Sequence, residues 1–91
     1  MSVYVDNEQI PWRGRFWCHM VADTLSELHE FAEKLGLRRS WFQDHGRYWH
    51  YDITVNKKNQ ALKLGAVPGD KRIIVSLAKK LKEEALKGIA Q

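Results

Sequence analysis

The chain has 91 residues, 44% of them hydrophobic and 29% charged, which is enough for one hydrophobic core and too short for two independent ones. Its 15 Lys and Arg against 11 Asp and Glu give a formal net charge of +4, a balance that favours anionic partners without demanding them. Cys18 is the only cysteine, which excludes an intramolecular disulfide and leaves burial and hydrogen bonds to hold the fold, as in a reducing cytosol.

In chain order, the N-terminal run "MSVYVDNEQIPWRGRFW" lacks a basic segment leading into an apolar signal-type core. Nowhere does the chain approach the roughly 18 apolar residues of a membrane span. The expectation is a cytoplasmic protein with no membrane partner. Val3 to Val5 alternates and then meets Asp6-Asn7, which predicts a short strand ending in a turn. Pro and Gly in "QIPWRG" and again in "VPGD" predict loops. Phe16 to Val21 is an apolar run too short for an ordinary helix and suits a buried strand.

The segment "DTLSELHEFAEKLGL" carries a helix signature: Thr24 and Glu27 at capping-box spacing, Leu25, Leu28, Phe31, Ala32 and Leu35 with helical period, and Gly36 at the C-terminal cap. Trp41 to Gln43 and Trp49 to Ile53 predict two short strands, with Gly46 turning the chain between them. Thr54 or Asn56 then caps a second helix running to about Leu64 and stopped by Gly65. In the C-terminal segment, Ile73 to Val75 are β-branched and suit a strand, whereas Ile74, Leu77, Ala78, Leu81 and Ala85 share one helical face; a short strand to Val75 is favoured, followed by a helix capped by Ser76 and ending near Gly88. These elements compose an α/β or α+β fold, a small single-domain sandwich of a short-stranded sheet with two to three helices.

Chemistry concentrates in the aromatic stretch "SWFQDHGRYWHYDIT" and in the polar ends of the first strands. On a strand, His50 and Asp52 point to one face while Trp49, Tyr51 and Ile53 point to the other. Burying either polar group unpaired costs several kcal/mol, so the polar face is a cavity wall, a paired network or the solvated side of an edge strand. His19 lies towards the end of the Phe16 to Val21 run, and Asp23 stands four residues on, just outside the helix if Thr24 is its cap. His29 borders the apolar stripe of the first helix and His45 lies in a hydrophilic loop. Lys57 and Lys58 open the second helix against its macrodipole, which suits a phosphate or carboxylate. His19, Asp23, His50 and Asp52 are metal-ligand types, but no pair has a spacing such as HExxH, so no metal site or cofactor is assigned. Adjacent residues on a strand face opposite ways, so Cys18 and His19 form no dyad.

The order of "VYVDN", "CHMVADTLSELHEFAEKLGL", "SWFQ", "HYDIT" and "ALKLGAV" resembles the domain of unknown function 4031 family of bacterial and phage proteins, over about Val3 to Val67. The resemblance implies that His19, Ala22-Asp23-Thr24, His29, Trp41-Phe42-Gln43 and His50-Tyr51-Asp52 are signature positions. It brings no activity with it. Residues 68–91 then read as a family-divergent helical extension.

The expected function is binding of a small anionic, nucleotide-like ligand in a pocket between strand ends. His19, Asp23, Gln43, His50 and Asp52 supply polar contacts, Trp41 or Tyr51 a stacking surface, and Arg39 with Lys57 the counter-charge. Two alternatives stand beside it. One is a metal-dependent or His/Asp general-base hydrolase acting on a phosphate-containing substrate. The other is a nucleic-acid-binding module, in which Arg38, Arg39 and Arg47 alternate with Trp41, Tyr48 and Trp49 for stacking and phosphate neutralisation.

Overall fold

The computed structural model describes residues 2–90, with side chains described through Gly88. It is an α+β fold, a six-stranded mixed sheet with three helices. The strands are β1 (Val3–Val5), β2 (Ile10–Trp12), β3 (Arg15–Ala22), β4 (Phe42–Gln43), β5 (His50–Thr54) and β6 (Val67–Pro68). The helices are α1 (Leu25–Lys34), α2 (Val55–Lys63) and α3 (Lys71–Ala90).

β3 organises the sheet. Its C-terminal half pairs antiparallel with β1 (Val5 opposite Met20) and its N-terminal half with β2 (Ile10 opposite Trp17, Trp12 opposite Arg15). On its other side β5 runs antiparallel, with Trp17 opposite Thr54 and His19 opposite Asp52. β4 extends the sheet beyond β5, and β6 adds to β1 in parallel. Directly opposed residues point to the same face, so this register decides which side chains meet.

Alternate residues of β3 and β5 supply the core. Cys18, Met20, Tyr51 and Ile53 are buried with Leu28 and Ala32 of α1 and Ile74, Ala78 and Leu81 of α3. Each large aliphatic side chain so buried contributes about 1.5–3 kcal/mol relative to exposure. The helix caps follow the sequence rules: Thr24 Oγ1 accepts from Glu27 N at 3.2 Å, and Thr54 Oγ1 from Lys57 N at 3.3 Å. Gly36, with φ +78°, takes the left-handed position after α1.

Four segments differ from expectation. "QIPWRG" is the β2–β3 hairpin, because Arg13 and Gly14 both adopt positive φ (50° and 73°), the pattern of a type I′ turn whose twist matches its strands. Pro11 is tolerated there because β2 pairs with a single neighbour. "VPGD" includes β6, and Gly69 N donates to Val5 O at 2.8 Å, extending the parallel pairing. Trp41 closes a 3₁₀ turn (Arg39–Trp41), and β4 begins only at Phe42. Ile73 to Val75 is helical: Asp70 Oδ1 accepts from Ile73 N at 3.0 Å, so Asp70 caps α3 and Ser76 lies within it. The cap and the shared face of Ile74, Ala78 and Leu81 outweigh β-branched propensity, which is a weak preference.

α3 therefore completes the core. Its attachment is also polar: Trp49 N donates to Ala78 O, Lys82 Nζ to Gly46 O, and Leu25 N to Glu84 Oε2. No helix among the described residues is long and apolar enough to cross a membrane.

Candidate functional site

The face of the sheet opposite the Tyr51 side chain carries a groove of about 820 Å³. Strand register builds it row by row: Trp12 beside Arg15, Ile10 beside Trp17 and Thr54, His19 beside Asp52, and Gln43 beside His50. Leu37, Ser40, Trp41 and Lys57 close the side. Trp17 is fixed by its indole N–H, which donates to Trp12 O at 2.9 Å, and by an edge contact with the Trp12 ring at 5.8 Å.

His19 lies between two carboxylates, Asp6 just past the end of β1 and Asp52 on β5. On the β1 side, Asp6 is buried; its Oδ1 accepts from His19 N at 2.9 Å and from Glu8 N at 3.4 Å, and its Oδ2 accepts from His19 Nδ1 at 2.6 Å. Burial alone would raise the Asp6 carboxyl, but the side-chain and backbone hydrogen bonds from His19 and the imidazole charge outweigh it and hold the group below its ordinary range. The same hydrogen bond, assisted by the charges of Asp6, Asp52 and Glu8, raises His19 against the opposing effect of burial. On the β5 side, His19 Nε2 stands 3.8 Å from Asp52 Oδ1.

His50 approaches the same oxygen, with Nε2 3.1 Å from Asp52 Oδ1, and its ring meets that of His19 edge-on at a centroid distance of 4.9 Å. Its Nδ1 lies 2.6 Å from Tyr48 O. A carbonyl only accepts, so Nδ1 carries the proton and donates, and in the neutral ring Nε2 keeps its lone pair. The ionised Asp6 sets the tautomer of His19 in the same way. Two imidazole nitrogens and one carboxylate oxygen thus converge at the groove floor, within 4.8 Å of one another.

Of the residues assigned from sequence, His19, Trp41, Gln43, His50, Asp52 and Lys57 line this groove. The other three lie elsewhere. Asp23 Oδ2 accepts from Ser2 N at 2.7 Å, because the strand ends before the pleat can carry it to the face of His19. Tyr51 points into the core, and its hydroxyl shares a 3.0 Å hydrogen bond with His29 Nδ1. The Arg39 guanidinium lies over the Phe42 ring at 5.1 Å. Lys57 also has a structural partner: Nζ donates to Leu35 O at 2.6 Å, placing the ammonium at the negative end of α1. Lys58 donates to Asn7 Oδ1 at 2.9 Å.

The rings considered for nucleic-acid stacking are divided. Trp41 faces the groove, Trp49 packs against the core, and Tyr48 is exposed with Lys79 Nζ 5.8 Å from its centroid. Cys18 is buried, its thiol donates to Ile53 O at 3.5 Å, and burial with the nearby Asp6 charge pushes its pKa up to about 11. It is a protonated core side chain and no nucleophile.

Sequence reasoning missed Asp6 and the wall formed by Ile10, Trp12, Arg15 and Trp17. The Arg13-Gly14 pair between apolar runs was the available signal for the hairpin. Asp6 gave none, since only the β1–β3 pairing sets it beside His19.

Among the curated proteins and the solved structures, none matches this chain significantly. A family model described as Protein of unknown function (DUF4031) matches residues 3–81. The matched span continues past Val67 into α3 as far as Leu81, so most of the structural core lies within it. Because the match covers well over half of the sequence, the chain belongs to the DUF4031 family.

Proposed function

We propose that the groove binds a small anionic, ring-containing ligand of the nucleotide kind. The observation that carries this reading is the combination of walls and floor in one concavity. Trp12, Trp17 and Trp41 offer ring faces, Arg15 and Lys57 offer positive charge, and the His19–Asp52–His50 cluster offers polar contacts at the bottom. About 820 Å³ lies within the range of small-molecule sites, and apolar walls around a few convergent polar groups are their usual composition. Aromatic faces accept any base, whereas the cations select for phosphate. Arg15 takes the counter-charge role expected of Arg39, since it shares the groove face of β3 with Trp17 and His19.

Calorimetry and tryptophan fluorescence with a panel of nucleoside mono-, di- and triphosphates test the reading. Saturable binding is expected for at least one of them, weakened by salt and by Trp41→Ala or Arg15→Ala in protein that keeps its circular dichroism. Absence of binding across the panel, or binding indifferent to both substitutions, overturns it.

A second reading, hydrolysis of a phosphate ester of such a ligand, is favoured by the two Nε2 lone pairs beside a carboxylate. In that reaction water adds to phosphorus, the bond to the leaving oxygen breaks, and the proton from water ends on the leaving group or the buffer. Phosphate release across the same panel, lost in folded His50→Ala protein, is the expected outcome.

A further inference from the structure

We infer that His19, His50 and Asp52 form a binding site for one borderline divalent cation of the zinc, cobalt or ferrous type. The inference stands on geometry, and it is independent of the nucleotide reading because the metal is tested alone.

In the neutral rings, with Nδ1 of His19 donating to Asp6 and Nδ1 of His50 donating to Tyr48 O, both Nε2 atoms turn electron pairs towards Asp52 Oδ1. Three electron-pair donors in one region repel one another unless a cation lies between them, either a proton on one ring or a metal ion that displaces it. The spacing suits the metal ion. Ligand bonds of about 2.0–2.1 Å in a tetrahedral arrangement put donor atoms roughly 3.3 Å apart. The observed separations from Asp52 Oδ1 are 3.1 Å to His50 and 3.8 Å to His19.

Metal-bound histidines characteristically donate their other ring N–H to a carboxylate or a backbone carbonyl, which fixes tautomer and ring orientation. This chain provides one of each. Asp6 is the carboxylate, and its own oxygens are already taken by His19 N, Glu8 N and His19 Nδ1. That occupancy decides between two overlapping clusters. Asp6, Glu8 and His19 also lie close together, but a metal there would have to break the hydrogen bonds that hold Asp6. Asp6 therefore orients His19, and the ion sits on the groove side.

The donor set names the class of ion. Two imidazoles and one carboxylate suit zinc or ferrous iron, whereas magnesium and calcium prefer oxygen ligands only. Three protein ligands leave coordination positions open, and Asp52, with 42% of its side chain exposed, gives them access to the groove. Water or a ligand phosphate is the natural occupant of those positions.

The test uses the full chain without a histidine tag. Calorimetric titration with zinc chloride, and with cobalt chloride read by its visible absorption, is expected to show one ion per chain, with magnesium inert at the same concentrations. His50→Ala and Asp52→Ala are expected to weaken binding at least about a hundredfold, and Asp6→Asn about ten- to a hundredfold through His19. Nitrogen-15 spectra of the wild-type imidazoles guard against a variant that fails to fold. Zinc is expected to shift Nε2 of His19 and His50 and leave His29 and His45 unmoved. No stoichiometric binding by folded wild-type protein overturns the inference, as does binding that survives both alanine variants or that shifts the other two histidines.

Discussion

On the helix side of β5, Tyr51 is buried against Phe42, and its hydroxyl and His29 Nδ1 satisfy each other at 3.0 Å. On the groove side of the same strand, His50 and Asp52 flank His19 with polar atoms that the protein orients and leaves directed at one another. Both faces contain edge-on ring contacts to a histidine, 4.7 Å between His29 and Phe42 and 4.9 Å between His19 and His50. They differ in how their hydrogen bonds terminate. A closed pair adds stability and specificity of packing, whereas an oriented open cluster is a place for a ligand. One strand thus carries a closed packing pair and an open polar cluster at successive residues.

The largest expected effect contrasts the two faces directly. Tyr51→Ala removes a fully buried ring and is expected to cost about 3–5 kcal/mol of unfolding free energy, by analogy with other buried aromatic truncations. His50→Ala and Asp52→Ala, at half-buried positions, are expected to stay within about 1 kcal/mol of wild type. Urea denaturation of the three variants measures the difference. Equal costs on both faces would mean that the groove cluster is structural.

Next in size is Asp6, which sharpens the comparison because it is buried yet holds a groove residue, His19. Asp6→Ala strands the His19 backbone N–H and Nδ1, and about 1.5–3 kcal/mol is expected for lost hydrogen bonds to a charged acceptor. A loss below about 0.5 kcal/mol in the same denaturation assay would show that Asp6 does not anchor the site. Smaller again is Tyr51→Phe, which deletes only the hydroxyl that meets His29. A loss of about 1 kcal/mol is expected, with the ring packing kept.

The two faces were unequally legible in the sequence. Period-two alternation separated His50 and Asp52 from Tyr51 and Ile53, and helical period with capping residues located α1 and α2, because those signals are local. Alternation even argued against Tyr51 as a ligand contact, since it put that ring on the core side. What alternation cannot say is which strands are neighbours. Asp6 reaches His19 through β1–β3 pairing across 13 positions of sequence, and Trp12 and Arg15 reach the groove through the β2–β3 hairpin. Asp23 failed for the converse reason. It is close to His19 in sequence, but the pleat ends at Ala22 and its carboxylate turns to Ser2 N. In α3, the β-branched run Ile73 to Val75 and the helical face that begins at Ile74 point in opposite directions, and the Asp70 cap decides for the helix.

The smallest expected effect separates the faces by pH. His29 is held below its ordinary value of 6.5, first by burial and then by the Arg39 charge, with Glu84 of α3 opposing and the neutral Tyr51 hydroxyl as its hydrogen-bond partner. Its folded form therefore takes up a proton less readily than its unfolded form. Between 6.5 and the lower folded value the unfolded chain binds more protons, so stability present above pH 6.5 falls as pH falls through that window. His19 has the opposite sign, since Asp6 raises it and its contribution is lost as pH rises. Wild type alone sums the two, and the difference from His29→Phe isolates the helix side. Stability followed by urea denaturation from pH 7.5 to 5 is expected to fall less steeply in the variant than in wild type. Identical slopes would mean that the helix-side histidine titrates as freely as an unfolded one, and the contrast between a closed and an open face would then rest on geometry alone.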